Sequence, residues 1–79
     1  MAVKAYILIE THVGKTKEIA EAIGELAGVI SVDTVTGPYD AIATIEGETL
    51  NDIGDLVTSK FHSINDISRT VMCVAVRSS

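Results

Sequence analysis

Residues 3–28, VKAYILIETHVGKTKEIAEAIGELAG, contain two different hydrophobic periods on either side of one glycine. Before Gly14, residues 3–11 place Val3, Ala5, Ile7 and Ile9 on one side of an extended chain, which predicts a β-strand. After Gly14, residues 15–27 repeat apolar side chains at helical spacing and predict an amphipathic helix that ends near Gly28. The face expected to be buried consists of Thr16, Ile19, Ala20, Ile23, Leu26 and Ala27.

The remainder of the chain predicts a hairpin, a second helix and a last strand. Residues 29–36 and 40–46 predict two strands, joined by the turn Gly37-Pro38-Tyr39-Asp40. Thr49 and Asp52 have the spacing of a helix capping box. The buried face of that helix would consist of Leu50, Ile53, Val57 and Phe61. Residues 67–77 predict the final strand.

The order βαββαβ predicts an α+β fold of the ferredoxin-like kind, with a four-stranded antiparallel sheet and two helices on one face. Residues 1–79 are long enough for one domain with a small aliphatic core. The other sheet face should be polar in a monomer, but apolar residues extend through the middle of the first and last strands. Leu8, Met72, Val74 and Val76 therefore predict a homodimer formed sheet against sheet.

Composition excludes several functional classes. Apolar residues make up 47% of the sequence and charged residues 22%, which excludes a disordered chain. The net charge of −5, without a basic run, argues against direct nucleic-acid binding. The sequence contains neither a membrane-spanning run nor a signal-peptide layout, so we expect no membrane association and a cytoplasmic location. Cys73 is alone and lies in an apolar run, which is typical of a small core residue.

No catalytic or metal site is predicted from the residues. Glu18, Glu21 and Glu25 fall on the polar side of the first helix. His12 and His62 lack neighbouring metal-ligand residues. The segment Gly14-Lys15-Thr16 resembles the end of a phosphate loop, but the upstream glycine is missing. We therefore expect no enzyme activity, no metal and no cofactor.

Two short segments carry polar side chains that the fold itself does not require. They are Tyr39 and Asp40 at the hairpin tip, and Ser68 and Thr70 in the last strand. Gly37 and Pro38 already suffice for the turn, and residues two apart in a strand point the same way. Polar side chains of this kind in a turn and at a strand end are candidates for function. Local turn hydrogen bonds and an ordinary polar strand remain the alternatives.

Residues 35–40, Val-Thr-Gly-Pro-Tyr-Asp, and residues 67–70, Ile-Ser-Arg-Thr, resemble the effector-binding domain of the leucine-responsive regulatory protein/AsnC family, also called the RAM domain. The resemblance covers nearly the whole chain, and the Gly-x-Tyr-Asp turn is its most specific feature. It implies that protomers pair through their sheets, that dimers form larger assemblies, and that free amino acids bind where dimers meet. The matching ligand-binding positions are Gly37, Tyr39, Asp40, Ser68 and Thr70.

The resemblance implies a role for each polar group. Asp40 would pair with the ligand ammonium, while backbone N–H groups and the hydroxyls of Ser68 and Thr70 would hold its carboxylate. Three departures are visible. The chain begins almost at the first strand, so we expect a stand-alone form without the family's helix-turn-helix. Pro38 removes one backbone N–H from the turn, and Ser68 stands where threonine is common.

We therefore expect a ligand-sensing regulatory module. It would bind a small amino acid or related metabolite at subunit interfaces and act on transcription or metabolism through a partner, such as a DNA-binding member of the same family. One alternative is a structural or assembly subunit without a ligand. A second is a small dimeric ferredoxin-like enzyme, although no His or Arg/Asn set can be assembled on the open sheet face. The ACT domain shares the topology, but the Gly-x-Tyr-Asp turn favours the RAM domain.

Overall fold

The secondary structure follows the order βαββαβ. A computed structural model describes residues 2–77 of the chain. Its elements are β1 Val3–Thr11, α1 Thr16–Gly24, β2 Val29–Thr34, β3 Ala41–Gly47, α2 Leu50–Leu56 and β4 Ile67–Val74. Within residues 2–77 the strands form one four-stranded antiparallel sheet in the order β2-β3-β1-β4. The predicted ferredoxin-like α+β fold is confirmed.

The hydrophobic core lies between one face of the sheet and both helices. Ala5, Ile7 and Ile9 of β1 are 0% exposed, so the alternation predicted for this strand is confirmed. Ile19 and Ile23 of α1 pack in the same cluster. Its other members are Ala41, Ala43, Ile45, Ile53, Val57 and Phe61. Because one cluster joins both helices to alternate residues of β1 and β3, the helices cover the same face of the sheet.

α1 is shorter than the sequence predicts. It begins after Lys15 and ends at Gly24, three residues before the expected end at Ala27, which is exposed. Gly28 has a φ of 94°, the left-handed conformation expected of it, but it lies within a turn after the helix, which the backbone N–H of Val29 closes by donating to the Leu26 carbonyl at 3.2 Å. Among residues 2–77, no helix combines the length and the apolar composition that crossing a bilayer requires.

α2 begins at the predicted capping box. The backbone N–H of Asp52 donates to the Thr49 hydroxyl at 3.1 Å, and the backbone N–H of Thr49 donates to the Asp52 carboxylate at 3.2 Å. The capping prediction is therefore confirmed. Leu50, which was expected on the buried face, is the first residue of α2 and is 53% exposed, so that prediction is wrong.

A π-helical turn, Val57–Phe61, continues α2 and is not predicted by the sequence pattern. In it the backbone N–H of His62 donates to the Val57 carbonyl, five residues earlier, at 3.1 Å. Four residues of an α-helix rotate through more than one full turn, so side chains four apart are displaced around the helix axis. The wider π-turn offsets this displacement. This geometry keeps Ile53, Val57 and Phe61 together in the core.

The open face of the sheet, meaning the face away from the helices, has an apolar centre. Leu8 in β1 lies opposite Ile42 of β3 on one side and Val71 of β4 on the other. Directly opposed residues share a face, so these three side chains form a row across the sheet. Tyr6 and Cys73 form a neighbouring pair on this face. Cys73 is exposed, so the prediction that it lies in the core is wrong.

β4 is an edge strand whose two faces are both apolar. Met72 lies opposite Ile7, and Val74 lies opposite Ala5, so both belong to the helix-covered side. The prediction that they share one face with Leu8 is wrong. Val76 lies beyond the end of β4 and is 99% exposed. Alternate sets that are equally apolar give no signal for which set faces the helices.

Candidate functional site

Three connections of the chain meet at one end of the sheet, around the end of β1. Backbone hydrogen bonds fix this arrangement: Asp40 donates to the Ile9 carbonyl at 2.9 Å, and His12 donates to the Asp66 carbonyl at 2.9 Å. The hairpin turn thus lies on one side of β1 and the segment before β4 lies on the other. The polar residues predicted from sequence are all found at this end, which we call the site end.

Asp40 is anchored to β1. Its Oδ2 accepts a hydrogen bond from the backbone N–H of Thr11 at 2.8 Å, and the Thr11 hydroxyl lies 3.4 Å from the same oxygen. The Thr11 hydroxyl also lies 2.8 Å from that of Thr16, the first residue of α1. Within residues 2–77, no protein group donates a hydrogen bond to the other carboxylate oxygen, Oδ1. One oxygen therefore holds the turn in place and the other can accept from a ligand.

Tyr39 joins the hairpin turn to the start of β4. A terminal nitrogen of Arg69 donates to the Tyr39 hydroxyl at 2.6 Å, and the guanidinium carbon lies 5.3 Å from the centre of the tyrosine ring. The contact combines a charge-assisted hydrogen bond with a cation–π interaction. Since the phenol oxygen accepts from Arg69, its own proton is available to another acceptor.

Gly37 shapes the turn that carries these groups. Its φ of 139° is one that residues with a side chain rarely adopt. The backbone N–H of Val35 donates to the Asp40 carbonyl at 3.0 Å and closes the turn. Gly37 and Pro38 are both exposed, while Tyr39 and Asp40 are half-buried. The glycine is therefore required by the backbone, and its surroundings are open.

Ser68 and Thr70 do not point the same way, contrary to the prediction. Thr11 is paired with Ile67 but Glu10 with Arg69, so a bulge in β4 contains Ser68. The Ser68 hydroxyl lies 3.1 Å from both the carbonyl and the Oε1 of Glu10, on the open face. Thr70 lies opposite the buried Ile9, and its hydroxyl lies 3.3 Å from Nε2 of His62. An extra residue in one strand reverses the alternation that residues two apart would otherwise keep.

The groups to which the sequence assigned no site also have protein partners. Nδ1 of His12 lies 3.7 Å from the Asp66 carboxylate, and Nζ of Lys15 lies 3.8 Å from that of Glu18. Both pairs are at the surface, where ion pairs contribute little. Residues 2–77 contain no cluster of His, Cys, Asp and Glu able to hold a metal ion, and they form no pocket.

Sequence reasoning missed the residues that bind the site end together. Glu10, Thr11 and Arg69 each contact a predicted site residue from a distant part of the chain. Arg69 lies between Ser68 and Thr70, and its charge could have been noted as a partner for a ligand carboxylate. Thr11 gave no comparable signal, because a threonine at the end of a strand is common.

Comparison with known proteins identifies the family. The family model of the Lrp/AsnC ligand binding domain matches residues 4–79. An uncharacterized HTH-type transcriptional regulator of Pyrococcus horikoshii is 32% identical over 74 residues, which are 90% of this chain and 49% of that protein. The chain thus spans about half the length of the curated relatives that it matches. The family model describes a ligand-binding domain, and these relatives are transcriptional regulators. Neither is an enzyme.

Solved structures agree with this assignment. The protein TTHA0845 from Thermus thermophilus superimposes with a TM-score of 0.92 at 32% identity, over 98% of this chain and 96% of that one. The transcriptional regulator NMB0573 of Neisseria meningitidis, solved as a complex with L-Met, has a TM-score of 0.85 at 16% identity, over 95% of this chain and 50% of that one. The second likeness shows the shared fold. The family match extends over almost the entire sequence, and the chain therefore belongs to the Lrp/AsnC family as a ligand-binding domain.

Proposed function

We propose that residues 1–79 act as one ligand-binding domain that takes up a free amino acid, or a related small metabolite, where protomers meet. Binding would regulate transcription or metabolism through a partner protein. The observation that carries this proposal is the meeting of the Gly37–Asp40 turn with the start of β4 at the site end. Tyr39 and Arg69 are 30 residues apart in sequence and are joined there by a 2.6 Å hydrogen bond.

The ammonium group of the ligand would bind Asp40. Oδ2 of this carboxylate is held by the Thr11 amide, which leaves Oδ1 for a charged donor. Charge-assisted hydrogen bonds of this kind are roughly twice as strong as neutral ones. The half-buried position of Asp40 also reduces competition from water.

The carboxylate group of the ligand would bind donors on both sides of the turn. The proposed donors are the Tyr39 hydroxyl, the hydroxyls of Ser68 and Thr70, and backbone N–H groups near Gly37. The Ser68 hydroxyl donates to Glu10 in this structure, so it would have to turn away from Glu10 to donate to the ligand. The Thr70 hydroxyl faces His62, so the two hydroxyls would approach from different directions. The L-Met complex of the Neisseria regulator supports an amino acid as the class of ligand.

Assembly would supply the contact between protomers. The row of Leu8, Ile42 and Val71 on the open face supports a homodimer formed sheet against sheet, and further contacts between dimers would surround the site end. A DNA-binding member of the same family is the partner that we propose, since its own sheet would offer a matching surface.

A thermal-shift screen against the twenty protein amino acids tests the ligand. An amino acid at 100 times its Kd should add about 2.7 kcal/mol to the free energy of unfolding. The matching N-acetyl amino acid and amino-acid amide are controls, because each lacks one of the two charges that the site should recognise. A protein that assembles but responds to none of the twenty would contradict the proposal and favour a purely structural subunit.

A charge placed on the open face tests the dimer. Leu8→Asp should convert the assembly to monomers in light scattering at micromolar concentration, because it would bury an unpaired carboxylate at the interface. Asn51→Asp adds the same charge at an exposed position of α2 and should leave the assembly unchanged. A wild-type protein that is monomeric under these conditions would refute the assembly.

A further inference from the structure

A pair of hydroxyl groups lies directly behind Asp40. We propose that Thr11 is a positioning residue for the Asp40 carboxylate, and that Thr16 fixes Thr11 and thereby connects the ligand site to the first turn of α1. This inference rests on the proposed function, since it concerns how Asp40 receives an amino acid. Neither threonine would touch the ligand.

Burial singles out Thr11. Thr11 is 9% exposed. Among residues 2–77 it is the one polar residue whose side chain is buried, whereas the other polar side chains reach solvent. A buried hydroxyl is costly unless it forms hydrogen bonds. Thr11 forms them in two directions, to Thr16 at 2.8 Å and towards Asp40 at 3.4 Å. Its position between the turn and α1 is therefore defined by polar contacts as well as by packing.

The direction of these hydrogen bonds follows from the carboxylate. An ionised carboxylate can only accept, so the Thr11 hydroxyl donates to Asp40 and must accept from Thr16. Together with the Thr11 backbone N–H at 2.8 Å, this gives Oδ2 of Asp40 two donors from one residue. Such contacts fix the side-chain torsions of Asp40 before a ligand arrives, which lowers the entropy lost on binding.

The same contacts account for the Gly14-Lys15-Thr16 segment. In a phosphate loop the hydroxyl after the lysine would face the metal ion bound to the nucleotide. Here the Thr16 hydroxyl faces Thr11, and the backbone N–H of Lys15 donates to the His12 carbonyl at 3.1 Å. The segment therefore serves to attach α1 to the end of β1, next to Asp40.

Isosteric replacement of the hydroxyl tests the proposal. The probe is whichever of the twenty amino acids gives the largest thermal shift, titrated by calorimetry against the full chain. Thr11→Val keeps the backbone N–H and the side-chain shape, and should weaken binding about fivefold to tenfold. Thr11→Ser should restore most of the affinity. Thr16→Val should weaken binding about twofold to threefold, because it acts one step further away.

A double-mutant comparison separates positioning from general destabilisation. If Thr11 acts through the charge of Asp40, Thr11→Val should cause no further loss of affinity in an Asp40→Asn background. Ile53→Val, which trims the core near Gly47 at the other end of the sheet, should leave affinity unchanged. Equal losses from Thr11→Val in both backgrounds, or no rescue by Thr11→Ser, would overturn the positioning role alone. Failure of the wild-type protein to bind any of the twenty amino acids would overturn the proposed function as well.

Discussion

The two ends of the sheet are stabilised in different ways. At the site end, side-chain hydrogen bonds join residues 29, 30 and 58 positions apart in the sequence. At the opposite end, where β3 leads into α2, the Thr49–Asp52 capping box joins residues three apart. Gly47 there lies so close to Ile53 that a Cβ would be 3.2 Å from its side chain. One end depends on distant polar contacts and the other on local capping and packing.

This difference has a consequence for function. Local contacts form with little loop-closure entropy and depend on few other residues. The distant contacts exist only when the turn, the end of β1 and the start of β4 are all in place. A ligand that binds across them would therefore stabilise the relative position of three connections at once. Substitutions at the site end should alter both stability and affinity, whereas those at the opposite end should alter stability alone.

The largest expected effect is that of Asp40→Ala. It removes the proposed ammonium partner, which should weaken amino-acid binding about 30-fold, or by about 2 kcal/mol. It also leaves the backbone N–H of Thr11 without its acceptor, so the free energy of unfolding should fall by about 1–3 kcal/mol. Calorimetric titration and urea unfolding, each at fixed protein concentration, would measure the two losses.

Asp40→Asn is the matched control. Its amide oxygen can still accept from the Thr11 N–H, but its negative charge is gone. We expect most of the stability to return while binding stays weak. A variant that recovers both would show that charge is not what the site requires of residue 40, and Asp40→Ala binding as tightly as wild type would place the ligand elsewhere.

A smaller effect, on stability alone, is expected from Thr49→Ala at the opposite end. Loss of the capping hydroxyl should cost about 1 kcal/mol of unfolding free energy. Thr58→Ala, at an exposed position in the π-helical turn, is the control and should change little. The affinity of Thr49→Ala for the amino acid should equal that of the wild-type protein. A clear loss of affinity in Thr49→Ala would show that the two ends are coupled and that the opposite end does not act on stability alone.

The same contrast explains what the sequence could predict. The capping box was found because its two residues are three apart, and the β1 strand because its alternation is continuous. The contact between Thr11 and Asp40 could not be found, since no local pattern connects residues that are separated by α1, β2 and the hairpin turn. The bulge at Ser68 was missed for a related reason: one extra residue depends on the partner strand and leaves no periodicity of its own.

The side chain of Leu50 and the two faces of β4 show a third limit to what the sequence can predict. Leu50 has the helical spacing of a core residue, yet it is 53% exposed at the first position of α2. Periodicity gives the direction of a side chain but not whether another element lies there to cover it. Both faces of β4 are apolar, so the pairing with β1 was needed to assign Met72 to the helix-covered side.

The smallest expected effects are those of the two hydroxyls of β4, and they test how these hydroxyls contribute to binding at the site end. Ser68→Ala and Thr70→Val each remove a neutral donor, and each should weaken amino-acid binding about twofold to fivefold. Their surroundings differ, with Glu10 beside one and His62 beside the other. Groups that approach a ligand from separate directions act independently, so the double variant should lose affinity by the product of the two factors. Calorimetry on the two single variants and the double variant measures this directly. A double variant no weaker than Ser68→Ala alone would mean that both hydroxyls reach one ligand oxygen, which requires the bulge to rearrange when the amino acid binds.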